Sequence, residues 1–224
     1  MRVSGKNVFN ELDFKNIRKV YLATNFKDQN IMQKIKENNL KYILTDPKVM
    51  DKMAPHNQGV IVEINDYEYG TLDDITSDDN YILMLDHLED PHNFGAIIRS
   101  AEARGIKHII IPKDRSVIVN ETVMKISTGA LSRINVIMVN NLVSAINTLK
   151  KQGFFVYAAE ADGIDYRKVD YANKICLIIG SEGFGLSRLV RENADVCISI
   201  PMQGKVNSLN ASVSAGILLF GIGE

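Results

Sequence analysis

A glycine-rich segment in the last quarter of the chain has residue types that suit a backbone cradle for a small ligand. It reads Gly-Ser-Glu-Gly-Phe-Gly over residues 180–185 and follows the apolar run at residues 176–179. Glycine lets the backbone approach a ligand closely. The glycines fall at positions 1, 4 and 6, unlike the dinucleotide fingerprint, and no Gly-Lys-Ser/Thr of a P-loop follows. Taken alone, the segment also suits a tight strand-to-helix turn, with Glu182 favouring the helix N-terminus.

A second segment, residues 90–99, combines an asparagine, a glycine and an arginine at a predicted helix start. It reads Asp-Pro-His-Asn-Phe-Gly-Ala-Ile-Ile-Arg. Asn93 is a candidate N-cap, because its side chain could accept a hydrogen bond from a first-turn amide. Arg99 could pair with Glu102 on the helix surface, although its position after a strand-end turn with Asn and Gly favours a functional role.

A third segment, residues 206–212, precedes the last predicted helix and reads Val-Asn-Ser-Leu-Asn-Ala-Ser. Ser208 or Asn210 could cap that helix. The two roles are compatible, because a capping loop can also present backbone amides to a ligand.

Alternating strand and helix patterns position these three segments. The predicted strands cover residues 81–88, 109–112, 134–139, 154–159, 176–179 and 196–200, and the helices residues 93–104, 121–127, 142–152 and 211–220. Gly105 and Gly153 are predicted to cap two of the helices. Such alternation predicts an α/β fold with a parallel sheet. Ligands bind outside the carboxyl ends of parallel strands, which is where the polar segments lie.

The N-terminal region is predicted to form a separate, smaller α/β module. Residues 1–64 contain strand patterns at 19–23, 41–44 and 59–64 and a helix at 29–38. Residues 65–80 hold six carboxylates without any Lys or Arg, which indicates a linker with one short helix near residues 72–75. The predicted domains are therefore 1–64, the linker 65–80, and 81–224.

Composition limits the classes of function. The chain has 224 residues, 46% of them hydrophobic and 24% charged, with a net charge of −1, so a nucleic acid would have to be held by a local basic patch. No apolar stretch approaches a membrane span, and the first residues lack the apolar core of a signal peptide, so we expect a cytoplasmic protein. Cys176 and Cys197 are expected to be buried structural thiols. The four histidines lack ligand spacing, so no metal is expected.

Taken together and in this order, the three segments resemble the TrmH-type ribose 2′-O-methyltransferases of the SPOUT superfamily. The residues that carry the resemblance are Asn93, Gly95 and Arg99, then Gly180, Glu182, Gly183 and Gly185 with Ile200 and Pro201, then Ser208, Leu209 and Asn210. The resemblance covers residues 81–221. Residues 4–8 and 56–60 extend it, since they look like the ends of the ribosomal-protein-like RNA-binding domain of the 23S ribosomal RNA guanosine methyltransferase branch. The family implies a deep trefoil knot in the C-terminal domain.

The resemblance implies S-adenosylmethionine as methyl donor and a ribose 2′-hydroxyl of RNA as acceptor. Gly180, Ile200 and Leu209 are the implied cofactor-binding positions. Arg99 is the leading catalytic candidate, as a group that binds RNA phosphate and stabilises a developing oxyanion. The other implied catalytic-site residues orient Arg99, the ribose or the first turn: Glu182, Ser208, Asn210 and Asn93.

The resemblance also implies a homodimer with active sites at its interface. Basic side chains near the site are candidate phosphate contacts, although each could be a solvated surface charge: Arg104, Lys107, Arg188 and Arg191. Two alternatives remain open, a tRNA ribose methyltransferase on the same fold and a non-catalytic RNA- or ribosome-binding protein.

Overall fold

The computed structural model describes residues 1–223, which form two compact units. The first unit comprises Met1–Glu68 together with Val119–Ser132, and the second comprises Tyr69–Ile118 and the chain from Arg133 onward. No helix within the described residues has the length and apolarity needed to cross a lipid bilayer.

The first unit is built on a four-stranded mixed sheet. Its strands are β1 (Arg2–Ser4), β2 (Ile17–Ala23), β3 (Tyr42–Thr45) and β4 (Val60–Ile64), and its helices are α1 (Lys6–Glu11), α2 (Gln29–Glu37) and α3 (Pro47–Met53). The order is β1-β4-β2-β3, with β2 and β3 parallel and the other pairs antiparallel. The three predicted strands and the predicted helix are confirmed. The sequence reading missed β1, α1 and α3, which are too short to show a clear period.

The second unit is built on a six-stranded, all-parallel sheet in the order β10-β8-β9-β5-β6-β7. Its strands are β5 (Tyr81–Asp86), β6 (His108–Pro112), β7 (Asn135–Val139), β8 (Phe155–Asp165), β9 (Ile175–Gly180) and β10 (Val196–Ser199). The helices after residue 69 are α4 (Pro91–Ala103), α5 (Glu121–Ser127), α6 (Leu142–Lys151), α7 (Arg188–Glu192) and α8 (Ala211–Gly221). The predicted parallel α/β sheet is confirmed, and β8 is longer than predicted. The trefoil knot stays a prediction.

Apolar side chains on the central strands explain why these short runs become strands. Ile82, Met84 and Ile178 are fully buried in one core cluster with residues of β8 and α6. Such runs are typical of parallel strands covered on both faces. Cys176 is likewise fully buried, as predicted, whereas Cys197 is only half-buried; both are free thiols.

The start of α4 differs from the sequence prediction. Asp90, not Asn93, is the N-cap, and its carboxylate accepts a hydrogen bond of 2.9 Å from the His92 amide. Pro91 occupies the first helical position, where its missing N–H costs nothing. Asn93 therefore lies inside the first turn, 5% exposed, and its side chain is available for other contacts.

Helix α5 belongs to the first unit, although the predicted boundary placed it in the C-terminal domain. Ser4 donates a hydrogen bond of 2.9 Å from Oγ to Oε1 of Glu121. Met124 packs against the apolar cluster that contains Val3 and Phe9. The first unit therefore needs a segment from the middle of the chain, which no local pattern in residues 119–132 indicates.

Candidate active site

A cleft of about 700 Å³ lies at the carboxyl ends of β9 and β10 and beside the middle of β8. This volume is in the range of small-molecule sites. The cleft is lined by residues 159–161, 179–183, 185, 198–202, 204, 206–209, 211, 214 and 218. Two of the three polar segments found in the sequence thus form its walls.

The glycine-rich segment is a tight loop whose shape requires glycine at position 180. Ser181 and Gly185 exchange two backbone hydrogen bonds, of 3.1 and 3.0 Å. A Cβ atom on Gly180 would lie 2.3 Å from the carbonyl carbon of Gly185, which no side chain can do. Gly183 and Gly185 have φ angles of 88° and 65°, in the left-handed region that favours glycine. The loop therefore brings bare backbone to the cleft wall.

Two carboxylates that the sequence analysis missed hold the end of this loop. Asp86, the last residue of β5 and fully buried, accepts a hydrogen bond of 2.6 Å from the Ser187 amide, and its other oxygen contacts Nδ1 of His87. Glu160 in β8 accepts a hydrogen bond of 3.1 Å from the Leu186 amide. In the sequence, Asp86 differs from its surroundings only as a charged residue at the end of the apolar run 81–85. No local pattern marks Glu160.

Three side chains from the three polar segments meet in one hydrogen-bond network. The side-chain amide of Asn210 donates a hydrogen bond of 2.9 Å from Nδ2 to Oδ1 of Asn93, and it also donates to Oε1 of Glu182. Asn210 is the N-cap of α8, and its Oδ1 accepts from the Ser212 amide at 2.9 Å. The Ala211 amide donates to Glu182 as well. The carboxylate of Glu182 thus lies at the N-terminus of α8, where the helix dipole favours negative charge.

The other predicted site residues divide between the cleft and the outside of α4. Gly180, Ile200, Ser208 and Leu209 line the cleft. Arg99 does not; it is exposed on α4, and no ion pair forms to it within residues 1–223. Its anticipated surface partner, Glu102, pairs instead with Arg133. The simple surface-pair interpretation of Arg99 is therefore wrong.

Basic residues proposed as phosphate contacts are engaged within this chain. Arg104 donates a hydrogen bond of 2.9 Å to the carbonyl of Leu219 and so holds the end of α8. The other three form ion pairs: Lys107 with Asp79, Arg188 with Glu192, and Arg191 with Asp162. None of the four lines the cleft. The described residues hold no group of three or more His, Cys, Asp or Glu side chains suited to a metal ion.

Two family models assign this fold and its glycine-walled cleft to a class of RNA-modifying methyltransferases. Residues 80–220 match the model of the SpoU rRNA Methylase family, and residues 3–70 match the model for RNA 2′-O ribose methyltransferase substrate binding. The chain belongs to this family, and it is an RNA 2′-O-ribose methyltransferase.

Relatives and solved structures agree with this assignment. A TrmH family tRNA/rRNA methyltransferase of Staphylococcus haemolyticus is 42% identical over 217 residues, which cover 91% of this chain and 86% of the relative. The AdoMet-bound rRNA methyltransferase of Sinorhizobium meliloti has the same fold, with a TM-score of 0.83 at 24% identity, over 98% of this chain and 85% of that one. The TrmH/SpoU tRNA modifying enzyme of A. aeolicus is 31% identical with a TM-score of 0.58, over 64% of this chain and 73% of that one.

Proposed function

We propose that this cytoplasmic enzyme methylates the 2′-hydroxyl of a guanosine ribose in 23S ribosomal RNA, with S-adenosylmethionine as donor. The main support for this proposal is the hydrogen-bond network of Asn93, Glu182 and Asn210, which joins all three polar segments at the rim of a glycine-walled cleft. The network disfavours the alternative of a non-catalytic binding protein, because Asn93, Glu182 and Asn210 are all present and joined.

The cleft suits S-adenosylmethionine in size and in chemistry. Gly180 gives access to backbone groups for the polar edge of adenine, because a side chain there is excluded. Ile200 and Leu209 line the cleft and offer an apolar surface for the ring. When bound, the donor supplies an electrophilic methyl group, so the protein has mainly to position the two reactants.

The polar residues are assigned to the acceptor side. Arg99 binds the RNA phosphate beside the target and stabilises the oxyanion that develops on the ribose, since a guanidinium stays protonated and donates in a fixed fork. Glu182, Ser208 and Asn210 orient Arg99 or the ribose. Asn93 holds the α4 end of the network through its hydrogen bond from Asn210.

We assign the active form to a homodimer in which Arg99 serves the cleft of the other subunit. Arg99 is exposed and absent from the lining of its own cleft, which supports a site shared between subunits. In a two-fold dimer the same patch of each subunit meets the other, so each site can combine residues of two chains.

Ribosomal RNA is the preferred substrate because the first unit accompanies the catalytic one. The fold match to the rRNA methyltransferase of S. meliloti extends over 98% of this chain, whereas the match to the A. aeolicus tRNA enzyme covers 64%. The tRNA alternative stays in view, because the S. haemolyticus relative is described with both substrates.

Mapping of 2′-O-methyl marks in total RNA from a deletion strain tests the substrate. We expect one guanosine of 23S rRNA to lose its mark and to regain it when the gene is restored. Loss of a tRNA mark with an unchanged 23S pattern would establish the tRNA alternative.

Thermal unfolding tests the cofactor independently of RNA. A ligand that binds only the folded state stabilises it by about 2.7 kcal/mol at a hundredfold excess over its Kd, so S-adenosylmethionine should raise Tm. NAD and ATP serve as controls. A shift with NAD alone would contradict the assignment.

A chain beginning at Leu72 tests the role of the first unit. It retains every residue of the cleft, so it should bind S-adenosylmethionine yet lose most of its affinity for rRNA. Because α5 then lacks its partner, Met124 should be replaced by Ser in the same fragment to keep it soluble. Undiminished methylation of rRNA by this fragment would show that the first unit does not recognise substrate.

A further inference from the structure

The glutamate in β8 has one oxygen committed to the loop and one free. Oε1 of Glu160 accepts the hydrogen bond from the Leu186 amide at 3.1 Å. No other hydrogen bond or ion pair forms to its carboxylate within residues 1–223. The side chain is half-buried and forms part of the cleft wall, so its carboxylate lies beside the space where a ligand would bind.

The charged residues that line the cleft are all acidic. Among residues 1–223, its lining includes the carboxylates of Glu160 and Glu182 but no Lys, Arg or His. The charge of Glu182 is already compensated in part, by the Asn210 amide and the N-terminus of α8. Glu160 accepts a hydrogen bond from a single backbone amide. Its negative charge is therefore the less compensated of the two.

We propose that Glu160 is a specificity-determining residue that makes the cleft prefer the cationic methyl donor over its neutral-sulfur product. This inference rests on the proposed cofactor. S-adenosylmethionine and S-adenosylhomocysteine share the adenosine and amino-acid groups and differ by the methyl group and the positive charge on sulfur. A half-buried carboxylate attracts that charge, and the attraction ends when the methyl leaves and sulfur keeps the electron pair of the broken C–S bond. Glu160 thus helps to hold the donor and to release the product.

Isothermal titration of the full chain with each of the two compounds tests the proposal without measuring activity. The variant Glu160→Gln removes the charge, while its side-chain oxygen can still accept from the Leu186 amide. We expect its Kd for S-adenosylmethionine to rise about fivefold and its Kd for S-adenosylhomocysteine to change less than about twofold. The difference should shrink as salt is raised, because exposed charge pairs are screened.

Two further variants give the controls. Asp162→Asn removes a carboxylate from the same strand that does not line the cleft and pairs with Arg191; it should leave the ratio of the two Kd values unchanged. Glu160→Ala also removes the acceptor for the Leu186 amide, so it should weaken both ligands.

Equal weakening of both ligands by Glu160→Gln would overturn the proposal, because Glu160 would then only hold the loop. An unchanged Kd for S-adenosylmethionine would also overturn it. A wild-type protein that binds neither compound would instead refute the proposed cofactor, a failure visible before any variant is measured.

Discussion

The two sides of the candidate active site are built in different ways. On the cleft side, Asn210 donates hydrogen bonds to both Glu182 and Asn93 and so joins them. On the outer side of α4, Arg99 is exposed and unpaired within the described chain. Both sides start from the same helix, because Asn93 is in its first turn and Arg99 lies six residues further on.

Under the proposed function, this difference fits a site in which one chain builds the cleft and another molecule positions Arg99. The donors and acceptors of the network satisfy one another within the chain. A long, exposed cation has no such restraint and gains a defined position only against another molecule. The exposed side is therefore the part of the site that an RNA phosphate or a second subunit would complete.

Removing one residue from each side is expected to give the largest effect. Arg99→Ala and Asn210→Ala should each reduce methylation by at least about 100-fold, because in the proposed function Arg99 stabilises the developing oxyanion and Asn210 orients the reacting groups. When the two variants exchange subunits, half of the dimers should be heterodimers with one doubly altered and one intact site. RNA methylation by the mixture should then recover to about a quarter of the wild-type rate.

A mixture that stays inactive after proven subunit exchange would place Arg99 and Asn210 in the same site from one chain. The comparison between the two sides would then describe two parts of a single-chain site. Mass spectrometry of differently tagged subunits provides the control for exchange.

A methyl group added at Gly180 should disturb the cleft without affecting the side of the site that carries Arg99. Gly180→Ala places a Cβ 2.3 Å from the carbonyl carbon of Gly185, so the loop must move and the affinity for S-adenosylmethionine should fall about tenfold or more. Gly204→Ala is the matched control, since it also lies in the cleft wall but meets no atom within 4 Å. Similar Kd values for both variants in calorimetry would show that the tight loop is not needed for binding.

Removal of the buried carboxylate below the loop should lower stability by a smaller but measurable amount. Asp86→Ala leaves the half-buried Ser187 amide without its acceptor, which costs about 1–3 kcal/mol in the free energy of unfolding. Asp90→Ala, which removes only the N-cap of α4, should cost about 1 kcal/mol. Urea denaturation measures both, and equal losses would mean that Asp86 adds nothing beyond a surface cap.

The two cysteines should show the smallest effect. Burial raises the pKa of the Cys176 thiol to about 12, so this thiol stays protonated and shielded at pH 8, whereas Cys197 is half-buried. A thiol reagent should label Cys197 slowly and Cys176 only after unfolding. Fast labelling of Cys176 in the native protein would show that the core around β9 opens.

Local patterns were sufficient to predict most of the helices and strands. The apolar runs that became β5, β6 and β9 are bounded by polar or glycine residues, and Gly105, with a φ of 84°, ends α4 as predicted. The predicted N-cap of α4 was three residues too late, because two good caps, Asp90 and Asn93, compete in one short segment. The choice of Asp90 depends on Pro91, whose fixed backbone suits the first helical position.

The sequence by itself therefore determined the alternation of elements and the segments that carry the chemistry. Both depend on residues close in the chain, whose periodicity and turn chemistry act locally. Only the tertiary structure decided that Asn210 reaches Asn93 across 117 positions, that Asp86 and Glu160 hold the end of the glycine loop, and that α5 packs with the first unit. These contacts depend on the path of the whole chain, and no pattern in the neighbouring residues contains that path.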